Sequence, residues 1–225
     1  MEPDEVFIEA VKNGDTGLVR ALLQKNSTFA GCKAPNGQSA VMLAWYNGHK
    51  EIVRLLLEQG INIDIFEAAA LGHLLQVSRL LAQTPETLNA FGPDGFTPLG
   101  LAAFFGHTEL VVNLLNWGAN PNLAADNDLG AAPLHSAVAS RQVEISRLLL
   151  ARGADVNARY QNGYTALHAA AENGQVAMVQ LLLEHGAQPY AAKDDGLTPL
   201  MLAEMQGFQQ VAEMIRSAAA QTQYL

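Results

Sequence analysis

An all-α repeat solenoid is the fold class the sequence predicts, and three observations predict it. Gly130, Gly163 and Gly196 stand 33 residues apart and open variants of one phrase: GAAPLHSA, GYTALHAA and GLTPLMLA. Gly95 opens GFTPLGLA 35 residues before Gly130, and Gly37 opens the more divergent GQSAVMLA. After each phrase a second apolar stretch runs into a glycine turn, as in VRLLLEQGIN, VVNLLNWGAN, ISRLLLARGAD and MVQLLLEHGAQ. One repeat therefore reads as a turn, a short helix, a tight break and a longer helix. Such a unit cannot cover its own apolar face, so neighbours must stack and the core must be elongated.

Seven repeats follow in order, within a single domain spanning residues 1–225. The first, at about 4–36, carries the helix pair VFIEAVKNGDTGLVRALLQKN without the turn phrase, as a solvent-facing cap would. The second runs from Gly37 to QGINID. The third, at about 64–92, is shortened, because IFEAAALGHLLQVSRLLAQTPETLNA follows Asp64 with no extended turn and no Thr-Pro start. It resembles the first repeat more than its neighbours. A break, a change of register or an altered stacking angle is expected there, and the alternative is a short N-terminal block followed by a longer C-terminal one. Regular repeats fill about 93–221, starting near Pro93, Asp128, Gln161 and Asp194. In their turns, Pro-Asp-Gly and Gln-Asn-Gly supply residues that tolerate positive φ. Thr97, Thr165 and Thr198 are expected to cap the first helices, with Pro98 and Pro199 in the opening turn, where no amide donor is needed. Ala132 replaces that Thr in the fifth repeat and predicts a weaker cap unless another group takes the role of the hydroxyl.

The apolar pattern shows where stability comes from. Leu99, Ala102 and Ala103, and likewise Leu167, Ala170 and Ala171, are small or branched residues that let helices approach. The second helices carry Leu55 to Leu57, Leu148 to Leu150 and Leu181 to Leu183. Burying one such Leu is worth roughly 1.5–3 kcal/mol against about 0–1 kcal/mol for a surface salt bridge, so interfaces between repeats dominate.

Composition narrows the function further. With 49% hydrophobic side chains, 225 residues can bury a long core without a membrane or disulfides. Cys32 is the sole cysteine, which argues against a disulfide framework or a Cys-rich metal site and suits a reducing compartment. No apolar run approaches the roughly 18 residues of a membrane span, and MEPDEVFIEA lacks the basic start of a signal peptide, so the chain reads as cytoplasmic. Thirteen Lys and Arg against 22 Asp and Glu give a charge of −9, which repels nucleic-acid phosphates and acidic lipid headgroups. The same acidity reads as the solubility charge of an extended monomer, with a functional acidic surface as the alternative.

The repeated glycine, the Thr-Pro-Leu or Thr-Ala-Leu phrase, the Gly-His break, the LLL stretch and the Gly-Ala-Asp-Val-Asn ending resemble the ankyrin-repeat family over nearly the whole chain. The compact IFEAAALGHLLQVSRLL is also similar to bacterial members. The resemblance implies stacked antiparallel helix pairs with short β-hairpin loops in a curved solenoid. It also implies protein contacts at the hairpin tips and on the concave face of the first helices. Carried onto this chain, those positions include Tyr46 and Asn47, Phe104 and Phe105, Glu172 and Asn173, and Met205 and Gln206 on the first helices. At the tips they include Phe91, Asp94, Phe96, Asp128, Leu129, Tyr160, Gln161, Tyr164, Asp194, Asp195 and Leu197. The candidate partner-binding residues are Tyr46, Asn47, Phe96, Phe104, Phe105, Tyr160, Tyr164 and Glu172, read as a strip from Tyr46 through Phe104 and Phe105 to Tyr164. Aromatic anchors among polar groups are common in protein-binding hot spots, although each Phe can instead fill a gap beside the shortened repeat. Tyr160 and Tyr164 are expected to turn their hydroxyls to water.

The resulting expectation is a protein-binding adaptor or regulator that captures a folded protein or an extended peptide. The alternative is a structural module that self-associates as a homodimer through Trp117 or the C-terminal SAAAQTQYL. Trp45, which stands where other repeats have Ala103 or Ala171, reads as structural, accommodated by local movement or by its shortened neighbour. Trp117 either covers the stack or meets a partner. Chemistry is not expected. His49, His73 and His107 at the breaks, His135 and His168 in the phrase, and His185 follow the repeat and read as hydrogen-bonding groups rather than metal ligands or bases. Neither CxxC, HExxH nor a phosphate-binding glycine run occurs, Cys32 reads as inert, and the pairs Asp64/Glu67 and Glu51/Glu58 read as solvated helix faces. No catalytic residue, cofactor or metal is assigned.

Overall fold

In the computed structural model, which describes residues 2–222, 14 α-helices form seven successive pairs joined by tight breaks. The chain divides into two compact units, Met1–Gln83 and Thr84–Leu225.

The N-terminal block holds α1 (Pro3–Asn13), α2 (Thr16–Lys25), α3 (Ala40–Tyr46), α4 (Lys50–Leu57), α5 (Ile65–Leu71) and α6 (Leu74–Gln83). Helix starts leave amides without intrahelical partners, and side chains take them. Asp15 Oδ1 accepts from the Leu18 amide at 2.9 Å and Ser39 Oγ from that of Met42 at 3.2 Å. First helices pack on first helices, α1 on α3 and α3 on α5, and α2 packs on α4. Phe7, Val11, Ile52 and Leu56 are fully enclosed, and Phe7 stacks on Phe29 with centroids 5.3 Å apart. The row of second helices does not continue: α4 and α6 barely touch, and Val77 is the one buried residue of α6.

Glu67 departs from the solvated face expected of it. The shortened repeat starts its helix directly at Asp64, whose Oδ1 accepts from the Phe66 and Glu67 amides, both at 2.9 Å. Glu67 reaches back, so that one carboxylate oxygen accepts from the Asp64 amide at 2.7 Å and the other from the Ser39 hydroxyl at 2.5 Å. The reciprocal pairing of cap and third residue draws the carboxylate inward, and burial pushes its pKa above the ordinary value.

In the C-terminal block, α7 (Pro98–Phe104), α9 (Pro133–Ala139), α11 (Ala166–Glu172) and α13 (Pro199–Met205) stack in sequence. So do α8 (Thr108–Asn116), α10 (Val143–Ala151), α12 (Val176–Glu184) and α14 (Gln209–Thr222). Leu99, Leu134 and Leu167 on the first row and Leu114, Ile145, Leu149 and Met178 on the second are all fully buried. Residues 84–92, expected to close the third repeat, belong to this block, where the short 3₁₀ turn Pro85–Asn89 packs on α7.

The caps differ from one another in a way the sequence hinted at. Thr97 Oγ1 accepts from the Gly100 amide at 3.1 Å and Thr198 Oγ1 from that of Met201 at 3.3 Å. Thr165 does not do so: its hydroxyl lies 2.9 Å from His168 Nδ1, which also accepts from the Thr165 amide at 3.2 Å. At Ala132, where no hydroxyl exists, His135 Nδ1 accepts from the Ala132 amide at 3.0 Å. This is the reciprocal half of a cap, which does not replace the hydroxyl as acceptor; the His135 amide bonds instead to Ala132 O at 2.9 Å.

The expected hairpins are reduced to tight turns. Tyr160 and Tyr164 form an isolated antiparallel bridge, as do Lys33 and Ser39 in the first block, and no longer strand forms among the described residues. In the C-terminal block successive turns are tied together through the carbonyl that precedes each turn glycine. Leu129 O accepts from the Gln161 amide at 2.9 Å and Asn162 O from that of Asp194 at 3.1 Å. Across the longer 35-residue step the equivalent carbonyl, Asp94 O, accepts instead from the side-chain amide of Asn127 at 2.7 Å. Asn127 Oδ1 in turn holds the Leu129 amide at 3.0 Å, and the Asp126 amide bonds to Gly95 O at 2.9 Å, so a side chain and a shifted backbone bond together span the longer step. Gly95 is required there, since it has φ 81° and an added Cβ would lie 2.5 Å from Asp126 O.

Candidate partner-binding surface

Tyr46 and Asn47 end α3 in the N-terminal block, both exposed, and the Asn47 side-chain amide donates to Leu43 O at 2.8 Å. The remaining candidates lie in the C-terminal block. Phe104 and Phe105 close α7 edge to face, with centroids 5.1 Å apart and planes at 86°. Phe104 is 39% exposed, whereas Phe105 is half-buried. Phe96 is half-buried at its turn, where its amide donates to Asp94 Oδ1 at 3.1 Å. Trp117 caps the end of α8, exposed to the same degree as Phe104.

Tyr160, Tyr164 and Glu172 form one constellation, and its base is built from histidines. His135 is 4% exposed, and its Nε2 sits 3.0 Å from Ala158 O while Nδ1 accepts a backbone amide. That pattern requires a neutral ring protonated on Nε2. His168 repeats it, with Nε2 3.2 Å from Leu197 O. Burial holds both imidazoles below their ordinary pKa. On these rings the tyrosines are laid in a row: His135 to Tyr160 at 4.5 Å, Tyr160 to Tyr164 at 5.7 Å, and Tyr164 to His168 at 5.8 Å. The Tyr160 phenol is pushed up to about 12, chiefly by burial and then by Tyr164 and Glu172.

The Tyr164 hydroxyl is occupied, contrary to the expectation that it turns to water. It donates to Glu172 Oε2 at 3.3 Å and accepts from Lys193 Nζ at 3.3 Å. Lys193 also lies over the Tyr164 ring, 4.3 Å from its centroid, and pairs with Asp195 at 3.0 Å. With its side chain 8% exposed, Lys193 belongs to the cluster rather than to the surface. Lys193 was not singled out from the sequence, since its contact with Tyr164 spans 29 residues and leaves no periodic signal. Asn127 did leave one, in the longer step between Gly95 and Gly130. The arrangement is a rigid aromatic and charged tip with Glu172 and Asp195 at its edge. Among the described residues no cluster of three or more His, Cys, Asp or Glu is placed to hold a metal ion.

The family model described as ankyrin repeats (3 copies) matches residues 3–67, 65–160 and 153–223. The chain belongs to the ankyrin-repeat family. This ankyrin-repeat chain is 39% identical over 103 residues to the rat (Rattus norvegicus) ankyrin repeat and SAM domain-containing protein 6, covering 46% of this chain and 12% of that one. It is 30% identical over 164 residues to the ankyrin repeat protein FPV014 of Fowlpox virus (strain NVSL), covering 69% and 37%. It is also 30% identical over 159 residues to an L-asparaginase of Dirofilaria immitis, covering 67% and 26%. The chain thus spans well under two thirds of each of these relatives. None of the three is bacterial, and the resemblance of the third repeat to bacterial members gains no support from them. Ankyrin repeats are in general protein-interaction modules, and no helix among the described residues is long and apolar enough to cross a membrane.

Proposed function

We propose that this ankyrin-repeat chain is an adaptor or regulator that captures a protein partner on the turn tips and first-helix ends of its C-terminal block. The observation that carries this reading is the linked row of turns. Bonds from Asn127 to Asp94, Gln161 to Leu129 and Asp194 to Asn162 fix successive tips against one another. A surface already ordered loses little conformational freedom on binding, which is what preorganisation contributes to affinity. Leu129 on that row and Phe104 at the end of α7 are exposed apolar anchors, and Tyr164 is braced between Glu172 and Lys193. The block carries six Lys and Arg against 13 Asp and Glu, so the fitting partner presents apolar side chains flanked by basic ones. Tyr46 and Asn47 offer a separate contact in the N-terminal block.

The test is affinity capture from the soluble extract of the source organism with the intact chain and with Phe104→Ala/Leu129→Ser, two exposed positions whose loss spares the core. A saturable partner that the double variant loses, with binding weakened by salt, supports the reading. No saturable partner, together with a concentration-dependent homodimer that Trp117→Ala disrupts, replaces it with self-association. The SAAAQTQYL segment, the other candidate for that contact, lies in α14 as far as Thr222, and its last three residues fall outside those described.

A further inference from the structure

A second surface lies in the N-terminal block. Where α7 and α11 place Ala103 and Ala171, both fully enclosed, α3 places Trp45. A methyl group at that position lets helices close on one another, whereas an indole holds them apart. Because α6 barely touches α4, the space is not refilled, and a groove of about 470 Å³ runs between α4 and the corner joining α5 to α6. Trp45, Val53, Leu57 and Leu71 line it. Three of these four, Trp45, Leu57 and Leu71, remain only partly covered.

The rim carries one unmatched cation in an otherwise acidic chain. Lys50, Arg54, Glu58 and His73 surround the opening. Arg54 is neutralised, bonded to Glu51 at 2.9 Å and paired with Glu58 at 3.8 Å. Lys50 is exposed and has no carboxylate partner among the described residues. The N-terminal block as a whole has seven Lys and Arg against nine Asp and Glu, close to balance, where the C-terminal block is strongly negative. An apolar floor beside an unmatched ammonium selects a ligand with an apolar body and a carboxylate next to it. A groove of this size has room for one or two large side chains, and its wide mouth suits a chain passing across it rather than an enclosed small molecule.

We propose that this groove takes a short acidic peptide segment of another protein, a large apolar side chain entering between Trp45, Leu57 and Leu71 while a neighbouring Asp or Glu meets Lys50. The partner class differs from the basic one expected at the turn tips. The experiment selects random dodecapeptides displayed on phage against the full chain, with depletion on the exposed-site variant Lys50→Glu. Selected sequences are then titrated as synthetic peptides against the Trp117→Phe chain, in which Trp45 is the only tryptophan and its emission reports the groove.

The expected result is enrichment of sequences pairing Phe, Leu or Trp with adjacent Asp or Glu. They should change Trp45 emission on saturation, lose about tenfold in affinity with Lys50→Glu and bind Phe104→Ala unchanged. Enrichment of basic sequences, equal binding to the Lys50→Glu chain, or unaltered Trp45 emission at saturation overturns the proposal. Peptides lost with Phe104→Ala belong to the turn-tip surface and also overturn it. A dimer in sedimentation that Lys50→Glu abolishes shows the groove filled by a second copy of the chain, which overturns the peptide assignment as well.

Discussion

In residues 84–225 each second helix packs on the next from α8 to α14, whereas in residues 1–83 the row stops at α4 and α6 buries only Val77. The same contrast appears at one shared position. Glu67, His135 and His168 are each the third residue of a first helix, and each reaches back to accept the amide of its cap residue. One block fills that role with a carboxylate and the other with imidazoles. The role sets the geometry, and the residue type sets how the block answers to protons.

The largest expected effect tests the packed row. Leu149, fully enclosed in α10, leaves a cavity when cut to Ala, and Leu149→Ala should lower the unfolding free energy by about 2–5 kcal/mol. Leu75→Ala in α6, where the side chain is 75% exposed, should change it by no more than about 0.5 kcal/mol. Equal losses in urea titrations would mean that the two rows are packed alike.

Next comes the response to pH, for which the two blocks should differ. His135 and His168 have folded pKa values below the unfolded one, so their contribution is intact above about pH 6.5. Below that pH the unfolded chain takes up protons the folded block refuses, and stability falls until the folded pKa is reached. The slope is at most about 1.4 kcal/mol per pH unit for each histidine, about 2.7 for both. Glu67 has a folded pKa above its ordinary value, so its contribution is complete below the unfolded pKa and is lost as pH rises through the folded one. Hydrogen exchange, corrected for its intrinsic pH dependence, should show α9 and α11 losing protection between pH 7 and 5.5, while α5 holds or gains it. Parallel behaviour in the two blocks would sink the assignment.

A smaller effect concerns the turn row. Asn127→Ala removes both the donor to Asp94 O and the acceptor for the Leu129 amide, and should cost about 1–2 kcal/mol with faster exchange at Leu129. The smallest is a gain. Arg141 stands where the other breaks have Gly and is held at φ 59°, a region costly for a side chain. Arg141→Gly should therefore stabilise the fifth repeat by up to about 1 kcal/mol, less whatever its bond to Asn173 O contributes. A drop in melting temperature would show that this bond matters more than the backbone strain.

Features that recur with the period could be read from the chain alone. The glycine phrase located the helices, and Thr97 and Thr198 their caps. What stayed hidden depends on contacts across repeats. Glu67 looked solvated because the Ser39 hydroxyl that draws it in lies 28 residues earlier. Tyr164 looked free because Lys193 comes 29 residues later. The aromatic candidates were read as one strip, but Tyr46 falls in one compact unit and Phe104 and Tyr164 in the other. Trp45 was recognised as out of place, yet the groove it opens depends on how little of α6 returns to α4.

The carbonyl that precedes each turn glycine also sets rules for exchanging parts. Between Gly130 and Gly196 every junction offers a backbone amide to that carbonyl, so whole 33-residue cassettes could be removed, duplicated or transplanted without leaving it bare. A splice between Gly95 and Gly130 is different. It would leave the Asp94 carbonyl bare unless Asn127 travelled with the cassette, although the Asp126 amide would still reach Gly95 O, so at this joint the exchangeable part must carry a side chain as well as a backbone.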